Sequence, residues 1–111
     1  MKKSADRVLV ILVTVANTEE AVRISKRVVG KRLAACANII PGVQSIFRWK
    51  GKIDESQEVL LILKSTKSRY SALEKLVKSM HTYEIPEIIA LRVEDGLAQY
   101  LGWVCDETRI Y

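Results

Sequence analysis

Residues 33–53, LAACANIIPGVQSIFRWKGKI, read as one strand-like ribbon interrupted at Pro41 and Gly42, and its length constrains the fold more than any other feature. Pro41 removes a ladder donor and Gly42 permits a bulge, so the pair bends the ribbon. Fully extended, residues 34–49 would reach about 53 Å at roughly 3.3 Å per residue. A compact domain of 111 residues has a radius of gyration of only about 13 Å and a diameter of about 34 Å. The ribbon must therefore bend or protrude. Beyond Gly42, Val43, Ser45, Phe47 and Trp49 share one face and Gln44, Ile46, Arg48 and Lys50 the other, before a turn at KGK, 50–52. Ile46, Phe47 and Trp49 at the far end would invite indiscriminate pairing if left bare. Self-association through strand edges, closing into a ring, would cover them; the alternative is a ribbon that folds back on its own domain.

The remaining elements follow from hydrophobic period. VLVILVTV, 8–15, is a continuous β-branched run of the kind found in a central strand, and EVLLILKS, 58–65, is a second buried strand. Between them, ANTEEA opens a helix with Asn17 or Thr18 as its cap, Glu19 and Glu20 in the first turn, and a stripe of Ala21, Ile24 and Val28. Thr66 or Ser68 caps a second helix, striped by Tyr70, Leu73, Leu76, Val77 and Met80. Pro86 starts a fourth strand, EIIALRV, because the residue before a proline is pushed from helical angles. Leu97, Tyr100, Leu101, Val104 and Cys105 give a short last helix. The order is βαββαβ plus a C-terminal helix, an α+β ferredoxin-like sandwich in one domain, 1–111. Right-handed crossovers put both long helices on one sheet face. The other face needs an apolar cover.

Composition narrows the function. No apolar stretch reaches the roughly 20 residues of a membrane span, and MKKSADR is followed by no cleavable signal pattern, which reads as cytoplasmic. Cys36 and Cys105 form neither a disulfide framework nor a metal knuckle. The net charge of +5 is spread along the chain without a basic cluster. The βαββαβ order also belongs to RNA-recognition domains, but those stack bases on aromatics of the first and third strands, and neither run here contains one. That argues against nucleic acid. Phosphate-cradling glycine motifs are absent, and the single histidine, His81, has no triad partners in a local motif, so nothing supports an enzyme. A Cys36 and His81 pair is the one nucleophile arrangement on offer.

The polar candidates gather near strand ends and turns. His81 with Glu84 or Glu87 can bind a borderline divalent ion such as zinc, and Met80, His81 and Cys36 would suit a softer copper ion if brought together. At most these residues make a weak, open or subunit-shared site, with no tightly bound cofactor. The competing reading is that His81 merely closes a helix carboxyl end. Lys50, Lys52 and Lys64 can meet a small anion, and Glu58, Glu84 and Glu87 can pair with them or with a cation.

KRLAACANIIPGVQSIFRWKGKI, EVLLILKS and HTYEIPEIIALRV, followed by YLGWV, resemble the CutA divalent-cation-tolerance family over almost the whole chain. The resemblance implies a homotrimer like that of PII signalling proteins, a cytoplasmic setting and a link to copper and other divalent cations. It carries recurrent family positions onto Cys36, Trp49, Lys50, Gly51, Lys52, Glu58, Lys64, His81, Tyr83, Glu84, Pro86 and Glu87, several of them lining clefts between subunits. Thr82 stands where the family usually has proline, which implies a looser loop, and Val13 and Thr14 lack the cysteine that some members carry there. The alternatives are a PII-like small-anion or nucleotide sensor and a protein-scaffolding trimer without a physiological metal.

Overall fold

A computed structural model describes residues 7–109; of the basic opening MKKSADR, only Arg7 falls among them. The order is β1 (Val8–Val15), α1 (Thr18–Gly30), β2 (Cys36–Trp49), β3 (Lys52–Thr66), α2 (Lys67–Met80), β4 (Ile88–Arg92) and α3 (Ala98–Glu107). The strands form one sheet in the order β2-β3-β1-β4, every neighbouring pair antiparallel. The expected ferredoxin-like order is present, with the extra helix at the end.

Each element obeys its local chemistry. In β1 the alternate residues Leu9, Ile11, Val13 and Val15 are buried against α1 and α2, joined by Val59, Leu61 and Leu63 of β3. Asn17 caps α1 by accepting from the Glu20 backbone N–H at 2.8 Å, and Ala21, Ile24 and Val28 face the core. From α2, Leu73 and Val77 are buried, and Tyr70, Leu76 and Met80 pack beside them. Thr66 occupies the cap position of α2 without a side-chain cap bond; its hydroxyl instead lies 3.4 Å from that of Thr108, past the end of α3.

The ribbon projects. β2 and β3 stay paired from Cys36 opposite Lys64 to Trp49 opposite Lys52, so the return strand starts at Lys52, six residues earlier than its apolar run suggests. Lys50 (φ 52°) and Gly51 (φ 80°) close it in a two-residue turn, where positive φ at both centres matches the strands' twist. The molecule measures 51 × 25 × 22 Å with a radius of gyration of 14.9 Å, above the about 13 Å of a compact chain of this size. Past the core, Ile46 and Ile53 are 68% and 70% exposed.

The register shifts by one residue between Ile40 and Val43, with Gly42 at φ 79°. This bulge changes parity along β2. Cys36, Asn38 and Ile40 lie on the sheet face away from α1 and α2, and past the bulge that face continues with Val43, Ser45, Phe47 and Trp49. The same face carries Val10, Leu12, Leu60 and Ile62, half-buried, and Ile89 and Leu91, exposed. β4 is shorter than expected, starting at Ile88.

Leu61→Ala removes a fully buried side chain and should lower unfolding stability in urea by about 2–5 kcal/mol. Ile53→Ala at the projecting tip should change the stability of an isolated subunit by less than about 0.5 kcal/mol. Equal losses at the two positions would contradict this placement of the core.

Candidate functional site

The loop 81–87 between α2 and β4 is fastened at three points. The His81 side chain is fully buried. Its Nε2 lies 2.7 Å from the Thr14 carbonyl, and its Nδ1 accepts the Tyr83 backbone N–H at 3.1 Å. This pattern defines the neutral ring with the proton on Nε2, and both nitrogens are occupied. Glu20 of α1, 3% exposed, accepts from the Thr82 backbone N–H and hydroxyl, each at 3.2 Å. The Tyr83 hydroxyl donates to Glu58 Oε2 at 2.7 Å, which ties the loop to β3. Thr82 therefore does not loosen the loop. Its backbone N–H, which a proline would lack, is one of the bonds that hold it.

Between this loop and the hairpin lies an open groove of about 800 Å³. β2 and β3 supply Phe47, Trp49, Asp54, Ser56 and Glu58, and the loop supplies Tyr83, Glu84, Ile85 and Glu87. Asp54, Ser56 and Glu58 alternate on β3, and the parity set by the bulge brings Phe47, Ser45 and Val43 opposite them in turn, with Trp49 next along the same face opposite Lys52. Among the described residues, four carboxylates line the groove with no lysine or arginine in its walls, although the chain has 18 basic residues against 13 acidic ones. Glu58 is 8% exposed. Among the described residues, no donor besides Tyr83 reaches its carboxylate. Burial first, then the hydrogen bond to Glu58 and the charges of Glu58 and Glu20, push the Tyr83 phenol well above its ordinary range.

The structure thus divides the expected site residues. Trp49, Glu58, Tyr83, Glu84 and Glu87 come together in the groove. Lys50 and Lys52 sit at the hairpin tip, with the Lys50 ammonium 5.7 Å from the Trp49 ring centroid. Cys36 and Lys64 form a separate cluster, in which Lys64 Nζ donates to Asn38 Oδ1 and stands 3.9 Å from Cys36 Sγ. Cys36 is level with Val10 of β1, whereas His81 bonds Thr14, four positions and about 13 Å along the strand. The expected meeting of Met80, His81 and Cys36 around a soft ion, and the Cys36 and His81 pair, therefore give way to this separation. His81 closes α2 and orients the loop, with no free nitrogen for a metal. Among the described residues, no three His, Cys, Asp or Glu side chains converge as a metal would require.

Sequence reasoning missed Asp54, Ser56 and Glu20. The first two have a period of two that continues from Glu58, a signal hidden by starting the return strand at its apolar run, 58–65, after the turn at 50–52. Glu20 looks like any acid in a first helical turn, and only tertiary packing turns it toward Thr82.

A four-stranded antiparallel ferredoxin-like sheet with an overlong, bulged hairpin places the chain among small α+β proteins. The family description "CutA1 divalent ion tolerance protein" matches residues 9–107. The chain belongs to that family. It is 46% identical over 99 residues to the divalent-cation tolerance protein CutA of Thermus thermophilus, covering 89% of this chain and 96% of that one. It is 51% identical over 92 residues to human protein CutA, covering 83% of this chain and 51% of the human protein, so it spans about half the human length. The solved structure of the Thermus thermophilus protein superposes with a TM-score of 0.90 at 44% identity, covering 92% of this chain and 99% of that one. That of Archaeoglobus fulgidus, described as periplasmic, superposes at 0.89 with 38% identity, covering 92% and 99%.

Two tests follow. Thr82→Val keeps the backbone bond but loses the hydroxyl bonds to Glu20, and should cost about 1–2 kcal/mol in urea unfolding, with Thr82→Ser restoring most of it. Tyr70, raised to about 12 by burial and its bond to Glu74, and Tyr83, raised further, should ionise late in an ultraviolet titration. An unfolded tyrosine ionises near about 10, so both favour the fold fully below that pH, and the advantage is lost as pH rises from there through the folded values. Tyr83→Phe should remove one late-ionising signal; an unchanged late fraction would refute the Tyr83 environment.

Proposed function

We propose that the chain acts in divalent-cation tolerance as a cytoplasmic homotrimer that holds cations weakly in its acidic groove. One observation carries the reading: among the described residues, four carboxylates and no basic side chain line the groove of a chain whose net charge is +5. Such a groove concentrates cations locally against the field of the whole molecule. It also speaks against the small-anion alternative at this place. With Cys36 and His81 apart, its metal donors are oxygens, which suit hard and borderline divalent ions better than soft copper. The residues do not make a tight metal centre, and exchange of the ion with solvent is the behaviour they support.

Assembly is supported by the uncovered sheet face, with Ile89 and Leu91 exposed beside Leu12 and Ile62, and by the bare hairpin tip. The number three rests on the likeness to CutA proteins. Two cysteines outside any disulfide suit a reducing compartment, and among the described residues no helix is long and apolar enough to cross a membrane.

Calorimetric titration with zinc should give weak, saturable heat that falls at least tenfold in affinity in the Glu84→Gln/Glu87→Gln double variant and stays within twofold in Cys36→Ser. Light scattering should give three times the chain mass. Zinc affinity lost in Cys36→Ser but kept in the double variant would overturn the groove as the site.

A further inference from the structure

We propose that His81 is a proton-driven latch on the loop 81–87: when its ring takes up a proton, two backbone bonds that hold the loop are exchanged for one buried ion pair, and the loop is released. The His81 side chain is fully buried, and both ring nitrogens are in use. Nε2 carries its proton in either state and goes on donating to the Thr14 carbonyl. Nδ1 is where a second proton must go. It accepts the Tyr83 backbone N–H at 3.1 Å, and once protonated it becomes a donor facing a donor. The Tyr83 bond then breaks.

A receiver for the new N–H is already in place. Glu20 Oε2 lies 3.8 Å from Nδ1, about 1 Å beyond a charge-assisted hydrogen bond. That same oxygen accepts the Thr82 backbone N–H at 3.2 Å, so turning toward Nδ1 gives up this bond as well. Glu20 is 3% exposed, and a pair buried to this degree escapes most screening by salt. Position 82 makes the second half of the exchange available, because a proline there has no N–H to give up. Among the described residues, the titratable or charged groups that face the ring are Glu20 from α1 and Tyr83 from the loop, its ring centroid 4.7 Å away. Glu58 of β3 stands behind the Tyr83 hydroxyl. From β1 the ring meets the Thr14 carbonyl, and from α2 the Lys78 carbonyl accepts the His81 backbone N–H at 3.4 Å. None of these is a cation. The carboxylate therefore favours the proton and the Tyr83 bond opposes it, which couples the charge of the ring to the state of the loop. Glu84 follows the two released residues directly, and Glu87 lies three further on, so release withdraws both from fixed positions. The latch does not depend on what the groove holds.

The chain has one histidine, so its ring signal is unambiguous. The test is an NMR titration of the untagged, assembled protein without added ligand from about pH 8 to 5, the range in which histidine ordinarily changes charge. It follows the His81 ring protons, the Thr82 and Tyr83 backbone amides, and the hydrogen-exchange protection of those amides after correction for the intrinsic effect of pH. Ring and amides should move with one midpoint, and protection at Tyr83 should fall at least tenfold across it while that of Leu61 in the core is kept. Glu20→Gln removes the waiting charge and should move the ring transition to lower pH. His81→Asn keeps a neutral acceptor that cannot charge and should leave the Tyr83 amide unresponsive. A ring that titrates while both amides hold still, a ring that does not titrate while the protein stays folded, or an unchanged response in His81→Asn would each overturn the latch. Should His81→Asn fail to fold, the shared midpoint and the Glu20→Gln shift decide. Zinc titration at one neutral pH tests the groove separately, so either reading can fail without the other.

Discussion

The pairing of β2 with β3 beyond the reach of the helices is the constraint on which the rest of the molecule depends. Two strands of 14 and 15 residues cannot lie within a body 25 Å across, so the hairpin leaves the core with its apolar side chains uncovered. The bulge at Pro41 and Gly42 then decides which face they occupy. Without the extra residue, Phe47 and Trp49 would point to the helix side, and Gln44, Ile46 and Arg48 would face Asp54 and Glu58. The groove exists as it does because one residue was inserted into one strand.

A second set of contacts turns this overhang into a site. The loop 81–87 would be a floppy connection if left to its backbone alone, since it includes only one proline and no helical or strand bonds. Buried Glu20, the doubly bonded imidazole of His81 and the Tyr83 hydroxyl on Glu58 fix it against α1, β1 and β3 in turn. Charged residues inside a protein are tolerated only when hydrogen-bonded, and both buried glutamates here meet that demand through the loop. The residues that look most like ligands in the sequence, His81 above all, serve instead to aim Glu84 and Glu87 at the hairpin.

Much of this was legible beforehand. The β-branched run at 8–15, the stripe Ala21, Ile24, Val28 and the overlong ribbon led to the correct sheet, helices and projection, because period and length are properties of the chain itself. Glu58, Glu84 and Glu87 stood out as carboxylates near strand ends and turns, Trp49 and Tyr83 joined them through likeness to CutA proteins, and the five share one groove. What the sequence hid depends on where elements meet. The spacing of Cys36 from His81 is set by sheet register, the role of Glu20 by the packing of α1 on the loop, and the place of Asp54 by a strand that runs six residues further than its apolar signal.

The central claim is that cations are met by the groove between the hairpin root and the loop 81–87. The most direct measurement is side-chain carboxyl and aromatic NMR during titration with a cation. The account predicts shifts at Glu58, Glu84, Glu87 and the Trp49 indole, with Cys36 and Lys64 silent; shifts confined to Cys36 and Lys64, or none at the groove carboxylates, would contradict it.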